Sequence, residues 1–126
     1  MNEERTFRRG EIYLANLGTG FGSEQGGTRP VLILQNNMGN IYCPTLIVAP
    51  LTARIGKKSN QPTHYQISGN GSTIRPSIVL LEQITTIDKR RVSKYLWRLP
   101  RSVMDNMKEQ ILLSLGINIA DEVEAP

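Results

Sequence analysis

"GFGSEQGGTRPVLILQN", Gly20–Asn36, divides into two halves that ask for different backbones. The first half holds four glycines, the residue type that reaches positive φ and close backbone contacts without strain. In the second half, Pro30–Gln35 (PVLILQ) is a continuous apolar run, as in a strand buried on both faces. Pro30 belongs at the start or edge of that strand, because proline has no N–H for the ladder. Arg29 therefore stands at the joint between a pliable loop and a rigid strand, preceded by Ser23, Glu24, Gln25 and Thr28. A generous turn with a solvated charge would explain this. So would a site that holds an anion, with glycine N–H groups and a guanidinium converging on it.

Outward from this stretch the chain reads as short strands separated by turns. Glu11–Leu17 alternates apolar and polar; Leu46–Leu51 and Ser77–Leu81 are apolar runs rich in β-branched residues. Thr63–Ile67, Ile84–Ile87 and Tyr95–Leu99 are further strand candidates. Asn37–Asn40 (NMGN) and Gly69–Ser72 (GNGS) have the chemistry of positive-φ turns, and Ala53–Gln61 reads as a polar loop. Near the end, Val103, Met104, Met107, Ile111 and Leu115 recur at helical spacing. Ser102 with Asp105 resembles a capping box, Gly116 a C-terminal stop, and the methionines core filler. Strands followed by a single helix predict a mainly β protein: a small, strongly bent sheet or barrel with a C-terminal helix packed on it. A core this small leaves apolar surface at the rim, which predicts a homodimer.

The chain has 126 residues, enough for one domain. We divide it into an N-terminal arm (1–8), a domain (9–117) and an acidic tail (118–126) expected to be disordered. Net charge is +4, from 15 basic and 11 acidic residues. Three of the acidic ones, Asp121, Glu122 and Glu124, lie in the tail, so the body sets 15 basic residues against eight acidic ones, a charge of +7. A basic body suits a polyanionic partner, though it also serves plain solubility. Cys43 is the sole cysteine, which rules out an internal disulfide and suits a reducing cytoplasm. MNEERTFRRG has no apolar core of a signal peptide, and no apolar run approaches the roughly 20 residues of a membrane span.

The inventory narrows the chemistry. His64 is the single histidine, so a two-histidine acid–base pair cannot form within one chain; a lone histidine on a strand is usually structural. No His, Cys or carboxylate cluster has metal-ligand spacing, and Glu24, Glu82 and Asp88 are scattered, so neither metal nor cofactor is expected. The glycine loop lacks the GxxxxGK[ST] pattern of a nucleotide-binding P-loop. What remains is Arg29 with its loop, Thr52 after an apolar strand, and Glu82-Gln83 after another. Strand ends cluster at one rim of a small barrel. There an arginine can pair with phosphate, a threonine can donate to it, and Glu and Gln edges can read bases. On the residues alone, a phosphate-directed site and ordinary loop chemistry both stay open.

"GSEQGGTRPVLILQN" resembles the MazF/PemK family of toxin–antitoxin endoribonucleases. The likeness continues through "RRGEIYLANL", "PTLIVAPLTARI", "PTHYQI" and "SIVLLEQITTIDKRRV", covering roughly Arg9 to Gly116. It is nearest the branch common in Gram-positive bacteria. The resemblance implies a compact SH3-like barrel with a C-terminal helix, a homodimer, and metal-independent, sequence-specific cleavage of single-stranded RNA in the cytoplasm. It implies catalytic roles for Arg29 (TRPV) and Thr52 (PLTA), RNA contacts for Ser23, Glu24 and Gln25 in a mobile loop, and a place in the RNA groove for Gln83. It also implies a cognate antitoxin with an acidic C-terminal tail, for which Lys89-Arg90-Arg91 offer charge. Two departures stand out: Asn16 replaces a more usual acidic residue, and Pro100-Arg101 is an unusual helix start. Two other readings share these residues: a non-enzymatic, gyrase-binding poison of the same fold, and a basic RNA-binding barrel without catalysis.

Overall fold

The computed structural model describes residues 5–53 and 61–117. Its strands are β1 (Glu11–Asn16), β2 (Thr28–Ile33), β3 (Thr45–Thr52), β4 (His64–Ile67), β5 (Ser77–Leu80), β6 (Thr85–Asp88) and β7 (Val92–Arg98). Helix α1 is Asn37–Tyr42 and α2 is Arg101–Ser114; Leu81–Gln83 and Lys89–Arg91 are single 3-10 turns. Each strand expected from the apolar patterning is present, with ends displaced by at most three residues. The acidic tail and most of the loop expected at Ala53–Gln61 lie outside the described residues.

The sheet is antiparallel throughout, ordered β4-β5-β3-β2-β1-β7, and β6 joins it through β3. β5 and β6 lie end to end along one edge of β3, with β2 on the other. The register shows why they are separate strands. Three steps along β3, from Leu51 to Val48, correspond to six along the partner, from Val79 to Thr85. The surplus is the 3-10 turn Leu81-Glu82-Gln83. It sits opposite the one residue of β3 that cannot donate, Pro50. The Ile47 carbonyl faces β2, accepting from Leu34 N–H at 2.9 Å. By alternation Pro50 turns its missing N–H to the β5–β6 edge. With no donor there, the ladder breaks and the partner chain is released outward.

Alternation also sorts the core into two faces. Ile12, Leu32, Ala49, Leu51, Val79 and Leu81 pack on one side, where Met104 and Met107 of α2 cover them. Tyr13, Val31, Ile33, Val48 and Ile87 pack on the other, closed in part by Phe7 of the N-terminal arm. Met107 is fully buried, as its place in the helical repeat predicts.

Two local expectations need correction. Asn37–Asn40 is not a positive-φ turn. It opens α1, capped by the Asn36 side chain, which accepts the Gly39 N–H at 2.8 Å. Asparagine serves turns and N-caps by the same hydrogen-bonding chemistry. A buried amide pair settles the outcome: Gln35 Nε2 donates to Asn40 Oδ1 at 3.0 Å, and Asn40 Nδ2 to the Gln35 carbonyl at 3.0 Å. Nor does Ser102 form a capping box. The helix begins at Arg101, with Pro100 as its cap and no side-chain cap bond. Leu99 N–H donates to Gly10 O at 2.9 Å, which fixes the chain just before the proline, and the Pro100 carbonyl takes the Val103 and Met104 N–H groups. The far end matches expectation. Gly116 has φ +75°, its N–H donates to Leu113 O, and the Ile117 N–H donates to Leu112 O, the paired bonds of a Schellman stop.

Candidate active site

The chain from 17 to 27 that joins β1 to β2 is tied into a definite shape. At its neck, Leu17 N–H donates to Gly27 O (2.9 Å) and Gly27 N–H to Gly18 O (2.7 Å). Asn16 Oδ1 accepts the Gly18 N–H at 2.8 Å, so amide chemistry suffices where an acidic residue is more usual. The two limbs then touch. A Cβ on Gly26 would fall 2.4 Å from Gly20 N, and one on Gly20 would fall 2.4 Å from Glu24 O. These glycines are required by close approach rather than by φ. At the tip, Phe21 and Glu24 exchange bonds: Phe21 N–H to Glu24 Oε1 at 3.0 Å, and Glu24 N–H to Phe21 O at 3.1 Å.

Gln83 holds this loop down. Its Oε1 accepts the Gln25 N–H at 2.9 Å and its Nε2 donates to Ser23 O at 3.1 Å. Both polar ends of one side chain thus grip the backbone of the loop, across 58 and 60 residues of sequence. The grip depends on the outward 3-10 turn that the break at Pro50 creates.

Between loop and turn lies an open groove of about 610 Å³. Ser23, Glu24 and Gln25 form one wall; Glu82, Gln83, Thr85 and Thr86 form the other, with Pro50 and Arg91 also lining it. Four of the six residues singled out from sequence, Ser23, Glu24, Gln25 and Gln83, therefore meet here.

Arg29 and Thr52 do not line the groove. They stand together just beyond it. Val31 pairs with Pro50, and continuing that register two residues sets Arg29 opposite Thr52. Arg29 Nε donates to Gly26 O at 3.0 Å and Nη1 to Leu51 O at 3.3 Å. The guanidinium is thus oriented by two backbone carbonyls rather than neutralised by a carboxylate. Its remaining N–H donors are unengaged among the described residues. Thr52 is 7% exposed and two residues along β3 from groove-lining Pro50, so the two share a face.

The basic triplet does not act as a unit. Lys89 Nζ donates to Asn40 O at 2.7 Å and faces the Phe7 ring. Arg90 pairs with Asp88 at 3.0 Å. Only Arg91 lines the groove, its Nη1 donating to Asn16 O at 3.2 Å. The side-chain bonds from Arg90 hold the Asp88 carboxyl at about 2, below the ordinary 3.8.

Spacing alone did not reveal the partner of His64. Its ring is buried, with Nε2 2.9 Å from Glu82 Oε2. β4 pairs His64 with Leu80, two residues before Glu82, so only the β4–β5 register brings the two together. Among the described residues no three His, Cys, Asp or Glu side chains converge as metal ligands. Nor is any described helix long and apolar enough to cross a membrane.

A bent antiparallel sheet closed by one C-terminal helix, with a glycine loop folded over a polar groove, is the MazF-like fold. The sequence matches the PemK-like, MazF-like toxins of type II toxin–antitoxin systems over residues 8–115, and the chain belongs to that family. Among solved structures it is similar to MazF from Deinococcus radiodurans, at 23% identity and a TM-score of 0.74, covering 90% of this chain and 99% of that one. A MazE–MazF complex from the same organism aligns at 21% identity and a TM-score of 0.68, over 90% and 99% of the two chains. An endoribonuclease bound to its cognate antitoxin, from a mycobacterial species, aligns at 22% and 0.67, over 91% and 98%. At these identities the likeness is one of fold.

Proposed function

We propose that this toxin is a metal-independent, sequence-specific endoribonuclease acting on single-stranded RNA, with Arg29 and Thr52 as its catalytic pair. The observation that carries the reading is Arg29 itself: a guanidinium aimed by the Gly26 and Leu51 carbonyls, opposite Thr52, at the end of a polar groove. The RNA 2′-hydroxyl attacks the adjacent phosphorus, and the bond from phosphorus to the 5′-oxygen breaks. The 2′-hydroxyl proton is lost and the departing 5′-oxygen gains one, leaving a 2′,3′-cyclic phosphate and a 5′-hydroxyl. Charge builds on the non-bridging oxygens, where Arg29 and Thr52 stabilise it. A guanidinium presents a fixed fork of N–H donors and no acceptor, so electrostatic stabilisation is its main part. Ser23, Glu24, Gln25 and Gln83 contact the RNA along the groove.

The partners follow from the same surfaces. An acidic antitoxin tail occupying the groove would meet Arg91 and block RNA. Met38, Ile41 and Tyr42 of α1 are more than half exposed, apolar surface of the kind a homodimer covers. The protein works in the cytoplasm, where RNA and antitoxin are found. To test the chemistry, purified protein is given a long RNA in excess EDTA, and an oligonucleotide with one deoxy substitution just 5′ of the scissile phosphate. Cleavage should persist in EDTA, release a cyclic phosphate, and stop in the deoxy substrate, which still binds. Arg29→Ala should lose cleavage while remaining folded. Loss of cleavage in EDTA, or cutting of the deoxy bond, would overturn the mechanism.

A further inference from the structure

Glu82 is an unexpected residue in a groove meant for a polyanion. Glu82 lines the groove, with its side chain 35% exposed, and a negative charge there repels every passing phosphate. Yet it is held in place. Thr63 Oγ1 donates to Oε1 at 3.1 Å, and His64 Nε2 lies 2.9 Å from Oε2. The His64 side chain is 2% exposed, so this anchor is part of the core. Leu81 N–H donates to Thr63 O at 3.0 Å, which ties the turn carrying Glu82 to the same segment. Each carboxylate oxygen has about two lone-pair sites, so both can still accept from the groove side. Gln83 beside it already spends one acceptor site and one N–H on the loop backbone, which leaves it fewer groups than Glu82 for a new partner. Glu82 is thus a pre-positioned acceptor on the wall shared by Thr85 and Thr86.

We propose that Glu82 reads a base. It accepts from the exocyclic amine of one unstacked nucleotide in the groove, so that adenine, cytosine or guanine is taken at that position and uracil is selected against. The inference rests on the RNA-cleavage reading above and supplies the specificity element that reading lacks. Chemistry sets the class. Adenine, cytosine and guanine each present an amino group, whereas uracil flanks its single N–H with two carbonyls, whose lone pairs would face the carboxylate. His64 and Thr63 are positioning residues, fixing the acceptor before RNA arrives.

The test maps cleavage sites by sequencing the 5′-hydroxyl ends released from a long RNA of mixed sequence. Wild type should show one position of its recognised sequence depleted of uracil. Glu82→Gln keeps an acceptor for Thr63 and can still bond to His64, but offers the groove an amide that both donates and accepts. It should raise uracil at that position by about ten- to a hundredfold relative to wild type, with other positions unchanged. Merely weakening the fold would slow all sites alike and leave their ranking intact. A second measurement needs no variant: wild type acting on oligonucleotides whose site bases are replaced one at a time by analogues lacking the exocyclic amine. One position should lose about ten- to a hundredfold in kcat/KM. An unchanged site ranking in Glu82→Gln, or tolerance of amine loss at every position, would overturn the proposal while RNA cleavage itself stands. If wild type cut no RNA at all, the functional reading would fail first and this inference with it.

Discussion

Replacing Gln83 by alanine isolates the hold that the 3-10 turn exerts on the glycine loop. Two hydrogen bonds disappear, to Gln25 N–H at 2.9 Å and to Ser23 O at 3.1 Å. Neither loop group is deeply buried, so water replaces the lost partner and only the net value of each bond is forfeited, about 0.5–1.5 kcal/mol. Together they hold the loop closed by about 1–3 kcal/mol, a five- to 150-fold change in its opening equilibrium. Native-state amide exchange reads this directly, without RNA. The reporter is the Glu24 N–H, whose own partner, Phe21 O at 3.1 Å, is untouched by the substitution. Its protection should fall by the same five- to 150-fold. The control is the Leu34 N–H, bonded to Ile47 O inside the sheet, which should not change. If Glu24 exchanges at the wild-type rate in Gln83→Ala, the neck and tip bonds hold the loop unaided and the argument for Gln83 is wrong. If both amides lose protection together, the substitution has lowered global stability instead.

Two other outcomes follow from the same contacts. Gly26→Ala places a Cβ 2.4 Å from the backbone nitrogen of Gly20 and should destabilise the protein by about 1–3 kcal/mol in urea unfolding; an unchanged midpoint would mean that the two limbs do not touch. For Asp88, a depressed carboxyl pKa means that its ion pair with Arg90 contributes fully above the ordinary 3.8 and is lost as pH falls through about 2. A carbon-13 titration should find that midpoint near 2 and return it toward 3.8 in Arg90→Ala; a wild-type midpoint already at 3.8 would show that the pair does not persist in solution.

Local patterning was sufficient for most of the architecture. The strands were legible because alternation and continuous apolar runs report directly on which faces are buried, and β3 is apolar enough to be recognised despite Pro50. α2 was legible from its 3.6-residue spacing and from Gly116, since the Schellman bonds lie within the last turn. Arg29 could be singled out because a charge at a loop–strand joint is locally unusual, and the family resemblance, borne out over residues 8–115, gave it a partner in Thr52. Where one chemistry serves two local structures, the sequence misled. Asn36-Asn37 reads equally as a turn or as a helix cap, and the buried Gln35–Asn40 amide pair made it a cap.

What only the tertiary structure decided is which distant groups share a surface. The missing N–H of Pro50 matters through the strand opposite it, where it expels Glu82 and Gln83 into a groove some thirty residues on in sequence. The grip of Gln83 on Ser23 and Gln25, the anchoring of Glu82 by His64, and the separation of Arg91 from Lys89 and Arg90 all arise across strand registers. Composition and spacing report a residue's own burial and backbone. They carry no record of register between strands far apart in the chain, and in this fold the register places the site.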